Sequence, residues 1–399
     1  MADRQPFRNK VAIVGTGVVQ SVRHADVPLA SLAVQTADEA IRDAGLTRDM
    51  IDGVATGSSL PAPGSTRTIQ LGIDIVDSGF LTEHMELDPS WTYDNPSFPP
   101  AFVRAVEAVA SGSVKYALVN RMLHNPTGRY NAFSGANAAG DNQWTAPYGI
   151  VPGPSGFAMP YLEYQQRYGA KREHMATLAV QIRKNVQSIP QAYWHGRELT
   201  VDDYMNCRMI SEPMCLHDND IPVDGGGSFV ITTAERAKEL PNKPVYITDW
   251  GVLQAKPPIP GTFGSLDAMY EPTQAMAKRI WNRTGWSPSD VRVVEAFDGF
   301  LPAALFWVET FGFCPIGEAW SFIQDGRIEA GGEFPLLSGG GNMGWGRVHG
   351  VPHVLECYWQ LSGRAGERQV SGATTAFSSY SIPGISQATA ILYTSDEAA

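Results

Sequence analysis

The sequence predicts an α/β protein built from two similar halves, the first of which carries a long insertion. A pattern of strands and helices recurs at a spacing of roughly 240 residues, which is difficult to obtain by chance. A glycine-rich segment, residues 338–350, precedes a helix of the second copy. The chain of 399 residues has 43% hydrophobic residues and is long enough for two core-forming units of roughly 150 residues.

Each half begins with an apolar strand that ends in glycine. These strands read KVAIVGTGV from Lys10 and KPVYITDWGV from Lys243. Each is followed by a helix with a period near 3.6, a glycine, a short turn and a second strand, in residues 37–57 and 276–299. Within these segments Gly45 corresponds to Gly285.

The repeat continues with a second helix and two further strands in each half. Residues 102–119 pair with residues 353–377, and both show a helix, a Ser-Gly stop and a strand. Residues 225–237 pair with residues 385–399 as the last strand of each copy. Alternating strands and helices predict a parallel-rich sheet in each βαβαββ half, with the two sheets related by a pseudo-twofold axis.

The repeat also sets the predicted domain boundaries. The first half covers residues 1–242 and the second half residues 243–399, and an insertion occupies about residues 120–220 of the first half. Residues 141–164 are rich in Gly, Pro and aromatic residues, which favours a lid over a large apolar substrate. A dimer-contact loop is the alternative interpretation of the same segment.

Composition excludes several classes of function. The net charge of -11 and the absence of Lys/Arg runs argue against nucleic-acid binding. No window reaches the roughly 18 apolar residues that a membrane span requires. The four cysteines show no CxxC spacing, so we expect reduced thiols in a cytoplasmic protein without a metal site.

The glycine-rich segment SGGGNMGWGRVHG, residues 338–350, marks the expected active site. The helix after it is predicted to begin near Val348, and the equivalent helix of the first half near Asn95. Helix N-termini offer unpaired N–H groups, so two of them meeting would stabilise an oxyanion. A bare glycine backbone would then let an acyl oxygen approach.

The order of these motifs resembles that of the thiolase superfamily over nearly the whole chain. The resemblance implies a thiolase fold, with two halves arranged as five αβαβα layers. The pattern is most similar to that of the lipid-transfer-type thiolases, which have a DxF...GFCxxGE segment. The matching residues here are Asp298, Phe300, Gly312, Phe313, Cys314, Gly317 and Glu318.

The chain departs from condensing thiolases at their catalytic positions. The resemblance places Asn95 where those enzymes have the nucleophilic cysteine, and Arg347 where they have the histidine of a GHP element. Phe297 replaces a further catalytic His or Asn, and Ser378 or Ser379 replaces the C-terminal Cys or His. Without a thiolate no acyl-enzyme forms, so Claisen chemistry is not expected.

A branch of the superfamily that lacks this cysteine, the steroid side-chain-cleaving aldolases, is similar to this chain. The resemblance implies retro-aldol cleavage of a β-hydroxyacyl-CoA to a ketone or aldehyde and a shorter acyl-CoA, with coenzyme A as part of the substrate and no bound cofactor. Members of that branch tend to have tyrosines at the positions of Phe297 and Arg347, which this chain lacks. The alternatives are a non-catalytic thiolase-like subunit, an acyl-CoA or lipid-binding protein, and an atypical acyltransferase.

Five residues are candidates for the chemistry, each with a plainer alternative. Arg347 would contact the acyl oxygen, or else cap a carbonyl or bind a CoA phosphate. His349 would act as acid or base or else pack against the helix. Tyr380 would be the base or a buried core residue. Asp298 would be catalytic or structural. Asn95 would donate to the enolate oxygen or cap the helix.

The resemblance also implies partners. Thiolase-like proteins bury a sheet edge by dimerising, so a homodimer is expected. In the aldolase branch the dimer joins a small protein of OB-fold and zinc-ribbon type. This chain has no cysteine pattern for such a module, so a second polypeptide would have to supply it.

Overall fold

The computed structural model describes residues 6–57, 76–123, 143–144, 146–148, 150, 153–253, 264–381 and 388–398. The strands are β1 (Val11–Val18), β2 (Gly53–Thr56), β3 (Trp91–Asp94), β4 (Tyr116–Leu123), β5 (Met209–Ser211), β6 (Met214–Cys215), β7 (Gly225–Thr233), β8 (Val245–Leu253), β9 (Val293–Glu295), β10 (Thr375–Tyr380) and β11 (Ala388–Thr394). The helices are α1 (Leu29–Asp43), α2 (Ser78–His84), α3 (Phe98–Ala110), α4 (Pro154–Tyr168), α5 (Arg172–Asn185), α6 (Val201–Asn206), α7 (Ala234–Ala237), α8 (Leu266–Thr284), α9 (Pro302–Thr310), α10 (Ala319–Phe322), α11 (Gly341–Trp345) and α12 (Val351–Ser362).

The predicted duplication is visible in the order of the strands. Nine strands form one sheet in the order β3-β2-β4-β7-β1-β8-β11-β10-β9, which is symmetric about the β1–β8 pair apart from the extra edge strand β3. The two halves are joined there by antiparallel pairing of Ala12 with Tyr246 and of Ile13 with Val245. The pseudo-twofold axis therefore passes between the first strands of the two copies.

The expectation of parallel-rich sheets was wrong, because the sheet is mixed. The pairs β2–β3, β2–β4 and β9–β10 are parallel. The pairs β1–β7, β1–β8, β4–β7, β8–β11 and β10–β11 are antiparallel. A helical crossover makes two neighbouring strands parallel, but other neighbours are free to run antiparallel. The last strand of each half, β7 or β11, runs antiparallel beside the first strand of that half, β1 or β8.

Three apolar clusters give the layer order that the resemblance implied. One cluster contains α1 and the outer face of the first half-sheet, and another contains α8, α9 and the outer face of the second. Between them, α3 and α12 share a cluster with the inner faces of both half-sheets. Two helices from different halves are thus packed at the centre of the molecule.

Helices α4 to α6 and the hairpin β5–β6 lie in the insertion between β4 and β7. The carboxylate of Glu309 in α9 ties the insertion to the second half. It accepts hydrogen bonds from the hydroxyls of Tyr164 (2.6 Å) and Tyr270 (2.7 Å) and from the N–H of Ala319. Residues 124–142 and parts of 145–152 lie outside the described residues, so the lid stays a prediction. None of the helices in the described ranges is long and apolar enough to cross a membrane.

Candidate active site

The starts of the two central helices meet, as the repeat predicts, but each helix begins three residues later than expected. Helix α12 begins at Val351 and α3 at Phe98. The lack of a side chain at Gly350 lets the two helix starts come this close, because a Cβ atom there would lie 2.8 Å from Cγ of Pro99. Asn95 therefore lies in the turn before α3, where its Oδ1 accepts the N–H of Ser97 at 2.9 Å.

The N-terminus of α3 is a poorer oxyanion site than predicted. Its first three residues are Phe98, Pro99 and Pro100, and proline has no N–H to donate. Only one of these three positions can bind an anion through its backbone. The positive charge needed at this centre has to come from side chains.

Two arginines supply that charge on either side of one histidine. Nε of Arg347 lies 2.9 Å from Nε2 of His349, and a terminal nitrogen of Arg121 lies 2.9 Å from Nδ1 of the same ring. Arg121 projects from β4, is fully buried, and also donates to the carbonyl oxygens of Gly57 and Pro96. Burial lowers the pKa of Arg121 to about 10, which still leaves the guanidinium charged at neutral pH. Sequence reasoning missed this residue, although an arginine within the apolar strand YALVNRML is an unusual feature.

The flanking arginines argue against the predicted acid–base role of His349. A neutral imidazole has one acceptor nitrogen, so the two guanidinium groups compete for it and the other ring nitrogen carries a proton. The lone pair is thereby engaged by an arginine rather than available to a substrate. The backbone of His349 has φ +49, a strained value for a residue other than glycine, and this conformation keeps the ring between the two arginines.

Tyr380, at the end of β10, joins this cluster. Its ring lies edge-on to His349 with centroids 6.3 Å apart, and edge-on to Phe297 at 5.2 Å. The Tyr380 hydroxyl lies close enough to the Arg121 guanidinium to interact with its charge. Phe297 presents no polar atom, so Tyr380 contributes the phenol on this side of the site.

The glycines of the 338–350 segment are explained by packing against protein atoms, and not by the predicted approach of an acyl oxygen. A Cβ at any of the six would meet protein atoms instead of open space. A Cβ at Gly340 would lie 2.1 Å from a methyl carbon of Val186. A Cβ at Gly341 would lie 2.4 Å from Oδ2 of Asp298. The bare backbone lets the segment pack tightly against α5 and the end of β9.

Asp298 holds this glycine segment in place. Its carboxylate is fully buried and accepts the N–H groups of Asn342 at 2.8 Å and Met343 at 3.1 Å, the start of α11. Nε2 of His353 in α12 donates to it at 3.0 Å. With these partners the geometry favours the structural alternative, in which Asp298 positions the segment that carries Arg347.

Two buried polar side chains near Asp298 were not predicted. Asp220 is 3% exposed and Asn342 fully buried, and no described residue bonds Oδ1 of Asp220 or either polar side-chain atom of Asn342. No motif or periodicity pointed to Asp220, which lies at the end of the insertion. Only the fold brings it beside Arg347, whose N–H donates to the carbonyl of Ile221 at 2.8 Å.

None of the four cysteines occupies this cluster. Cys215 and Cys314 are buried, and Cys357 lies within α12 with its Sγ 3.6 Å from the carbonyl of Phe377. Cys207 is half-buried before the β5–β6 hairpin. Burial raises the pKa of the Cys215, Cys314 and Cys357 thiols.

Treatment with iodoacetamide at neutral pH is therefore expected to leave activity intact. Thiolate is the reactive form, and the raised pKa values keep the three buried thiols protonated. The measurement is residual activity against the number of carbamidomethyl groups found by mass spectrometry. Inactivation that substrate prevents would contradict this account, since it would place a reactive thiol at the site.

Two surface grooves of about 670 and 650 Å³ lie elsewhere. One runs between α8 and residues 311–316, and the other lies beside β3. Neither is lined by the arginine–histidine cluster. No group of three or more His, Cys, Asp or Glu residues that could hold a metal ion occurs in the described part of the chain.

Comparison with known proteins places this geometry in context. A family model described as thiolase C-terminal domain-like matches residues 264–394. The chain is 29% identical to the 17-hydroxy-3-oxo-4-pregnene-20-carboxyl-CoA lyase of Mycobacterium tuberculosis, with 89% of this chain and 92% of that protein covered. It is 28% identical to the steroid side-chain-cleaving aldolase of Thermomonospora curvata, with 86% and 88% covered. A solved structure named Ltp2-ChsH2(DUF35) aldolase superposes with a TM-score of 0.85 at 24% identity, covering 97% of this chain and 98% of that one.

Proposed function

Because this chain has a thiolase-like fold, is similar to steroid side-chain-cleaving aldolases and lacks a thiol at the meeting point of its central helices, we propose that it cleaves β-hydroxyacyl-CoA thioesters by a retro-aldol reaction. The products are a ketone or aldehyde and a shorter acyl-CoA. Coenzyme A is the carrier portion of the substrate, and no other cofactor enters the proposal. The relatives named as a lyase and a steroid side-chain-cleaving aldolase support a steroid or similarly bulky acyl group.

The observation that carries the proposal is the pair of guanidinium groups around His349. Retro-aldol cleavage turns the thioester into an enolate, so negative charge develops on the thioester oxygen as the Cα–Cβ bond breaks. Arg347 is half-buried and reachable from solvent, while Arg121 behind His349 is fully buried. Two fixed cations in a partly desolvated site stabilise that charge far more than they would in water.

The same arrangement would replace the tyrosines that the aldolase branch tends to have at positions 297 and 347. Arg347 brings a permanent positive charge where a tyrosine would bring one hydroxyl donor. His349 orients the Arg347 guanidinium through its Nε at 2.9 Å, and the terminal nitrogens of that group would donate to the thioester oxygen. Tyr380 provides a phenol beside the hydroxyl-free ring of Phe297.

Two incubations test the proposal. The protein is mixed with a steroid-type β-hydroxyacyl-CoA, and separately with acetoacetyl-CoA plus free CoA, and the products are separated by chromatography. Cleavage of the first substrate alone is the expected result. Thiolysis of acetoacetyl-CoA would contradict it and indicate an acyltransferase. Tight binding of either thioester without turnover would indicate a carrier or a non-catalytic subunit.

We further propose that the protein is a homodimer. Strand β3 forms one edge of the sheet and, in the described ranges, pairs only with β2. Trp91 and Tyr93 on this strand are half-buried and stacked with ring centroids 6.1 Å apart. An unpaired edge with aromatic side chains is a surface that soluble proteins usually cover.

Light scattering at micromolar concentration is expected to give about twice the 43.3 kDa mass of one chain. A monomer at that concentration would contradict the dimer. The related structure whose name joins Ltp2 to ChsH2(DUF35) supports a small partner protein as well. Adding such a partner should then raise the mass of the complex beyond that of the dimer.

A further inference from the structure

We propose that Asp220 is the catalytic base that removes the β-hydroxyl proton of the substrate, an inference that rests on the proposed retro-aldol function. His349 and Tyr380 were the candidates from the sequence. The His349 lone pair is occupied by an arginine, and the Tyr380 phenol carries its own proton and would have to lose it before acting as a base, so we look for another proton acceptor. Asp220 meets the requirements for that role by its place in the fold, its lack of partners and its electrostatic surroundings.

The backbone fixes Asp220 between the two segments that build the site. Its N–H donates to the carbonyl oxygen of Gly299 at 3.3 Å, one residue after Asp298. The preceding residue, Asn219, forms an isolated antiparallel bridge with Phe300. The following residue, Ile221, accepts the N–H of Arg347 at 2.8 Å. The charge of Arg347 also acts on the Asp220 carboxylate, so the side chain lies near the arginine that is proposed to face the thioester.

The polar atoms around Asp220 can hydrogen-bond a substrate hydroxyl. Oδ1 of Asp220 is buried without a hydrogen-bonding partner in the described structure, and so are Oδ1 and Nδ2 of Asn342. Both residues have their backbone N–H bonded to the Asp298–Gly299 segment, so their side chains extend from backbone positions that pack against the same two residues. Buried polar groups without partners are rare in folded proteins, and a hydroxyl-bearing substrate would satisfy them.

The surroundings of Asp220 make its carboxylate a stronger base than an ordinary aspartate. Burial raises its pKa well above the usual 3.8, Arg347 opposes the shift, and the charge of Asp298 adds to it. A base with a raised pKa accepts an alcohol proton more readily, and the charge of Arg347 acts in the direction that favours the ionised carboxylate. The charged and titratable groups that face it, directly or through one hydrogen bond, are Arg347, Asp298, His349 and His353.

The step balances without any further reactant. The Asp220 carboxylate takes the proton of the β-hydroxyl, whose oxygen forms a carbonyl as the Cα–Cβ bond breaks. The electron pair of that bond forms the thioester enolate, which Arg347 stabilises. The carboxylic acid of Asp220 then returns the proton to Cα, which releases the shorter acyl-CoA and restores the carboxylate. No atom is oxidised or reduced by an outside group.

The test compares Asp220→Asn with Asp218→Asn in the full-length protein on a steroid-type β-hydroxyacyl-CoA. Asp218 is an equally buried carboxylate two residues away, but it accepts bonds from the Tyr204 hydroxyl and the Cys215 N–H and does not face Arg347. Asp220→Asn should lower kcat by about 100-fold or more with little change in KM. The kcat of the wild-type protein is expected to fall on the acidic side as Asp220 becomes protonated, and Asp220→Asn should lose that fall. Asp218→Asn should lower thermal stability but keep that pH profile.

Chemical rescue gives a second readout that a structural role would not move. In Asp220→Ala, added formate should restore part of the lost rate, because a small carboxylate fits the vacated space. A wild-type rate and pH profile in Asp220→Asn would overturn this inference and leave the proposed function standing. Failure of the wild-type protein to cleave any β-hydroxyacyl-CoA would contradict the proposed function and this inference together.

Discussion

Replacement of Arg347 by alanine is expected to lower kcat by about 100-fold or more, with a much smaller change in KM. The charge that Arg347 meets exists chiefly in the transition state, when the thioester oxygen becomes an enolate. Loss of one such preorganised donor typically costs about 3 kcal/mol of transition-state stabilisation. Arg347→Lys should fall between alanine and wild type, because the charge remains but the Nε contact with His349 is lost.

Steady-state kinetics at two salt concentrations distinguish this role from phosphate binding. If Arg347 bound a CoA phosphate, alanine would raise KM at unchanged kcat, and the effect would shrink as salt screened the ion pair. Arg364→Ala is the matched control, since it removes a guanidinium paired with Asp43 on the surface. The control should keep wild-type kinetics. A KM effect alone in Arg347→Ala would contradict the assignment to the thioester oxygen.

Asp298→Ala should have the second large effect, on stability and activity together. The substitution leaves two buried N–H groups of α11 and the Nε2–H of His353 without an acceptor. Stranding buried donors and removing a buried charge of this kind costs about 3 to 5 kcal/mol of the free energy of unfolding. Activity should fall even where the protein stays folded, because the glycine segment that carries Arg347 loses its anchor.

Urea unfolding and kinetics of the same preparation separate the two effects. Asp298→Asn should be milder than alanine, since one oxygen still accepts a bond. Asp249→Asn serves as the control, because Asp249 is another fully buried carboxylate and is paired with Arg283 in α8. The control should lose stability without a matching loss of kcat. Unchanged stability in Asp298→Ala would show that the carboxylate does not hold the segment.

The sequence is informative about the fold because the duplication is recorded in repeated patterns. The apolar strands at Lys10 and Lys243, and the helix–glycine–strand units after them, recur in the same order as in the sheet. Strand direction was harder to predict. Periodicity identifies a strand but not its neighbour, and neighbours in this sheet are often distant in sequence.

The site was predicted only in part, for a similar reason. Arg347, His349 and Tyr380 were identified from motif positions, and the structure brings them together. Arg121 and Asp220 reach the cluster from β4 and from the end of the insertion, which no local pattern connects with residues 338–350. The glycines were misinterpreted because a missing side chain shows that space is needed, but not what fills it. At Gly341 the space is filled by Asp298.

The most direct test of the central claim is a product analysis in deuterium oxide without added free CoA. The substrate is a steroid-type β-hydroxyacyl-CoA, and the products are measured by mass spectrometry. The account predicts one ketone or aldehyde and one shorter acyl-CoA per substrate consumed, with one deuterium at Cα from the enolate and no effect of added CoA on the rate. Failure to cleave this substrate, or a shorter acyl-CoA that carries no deuterium at Cα, would contradict it, because the account requires an enolate that is protonated at Cα.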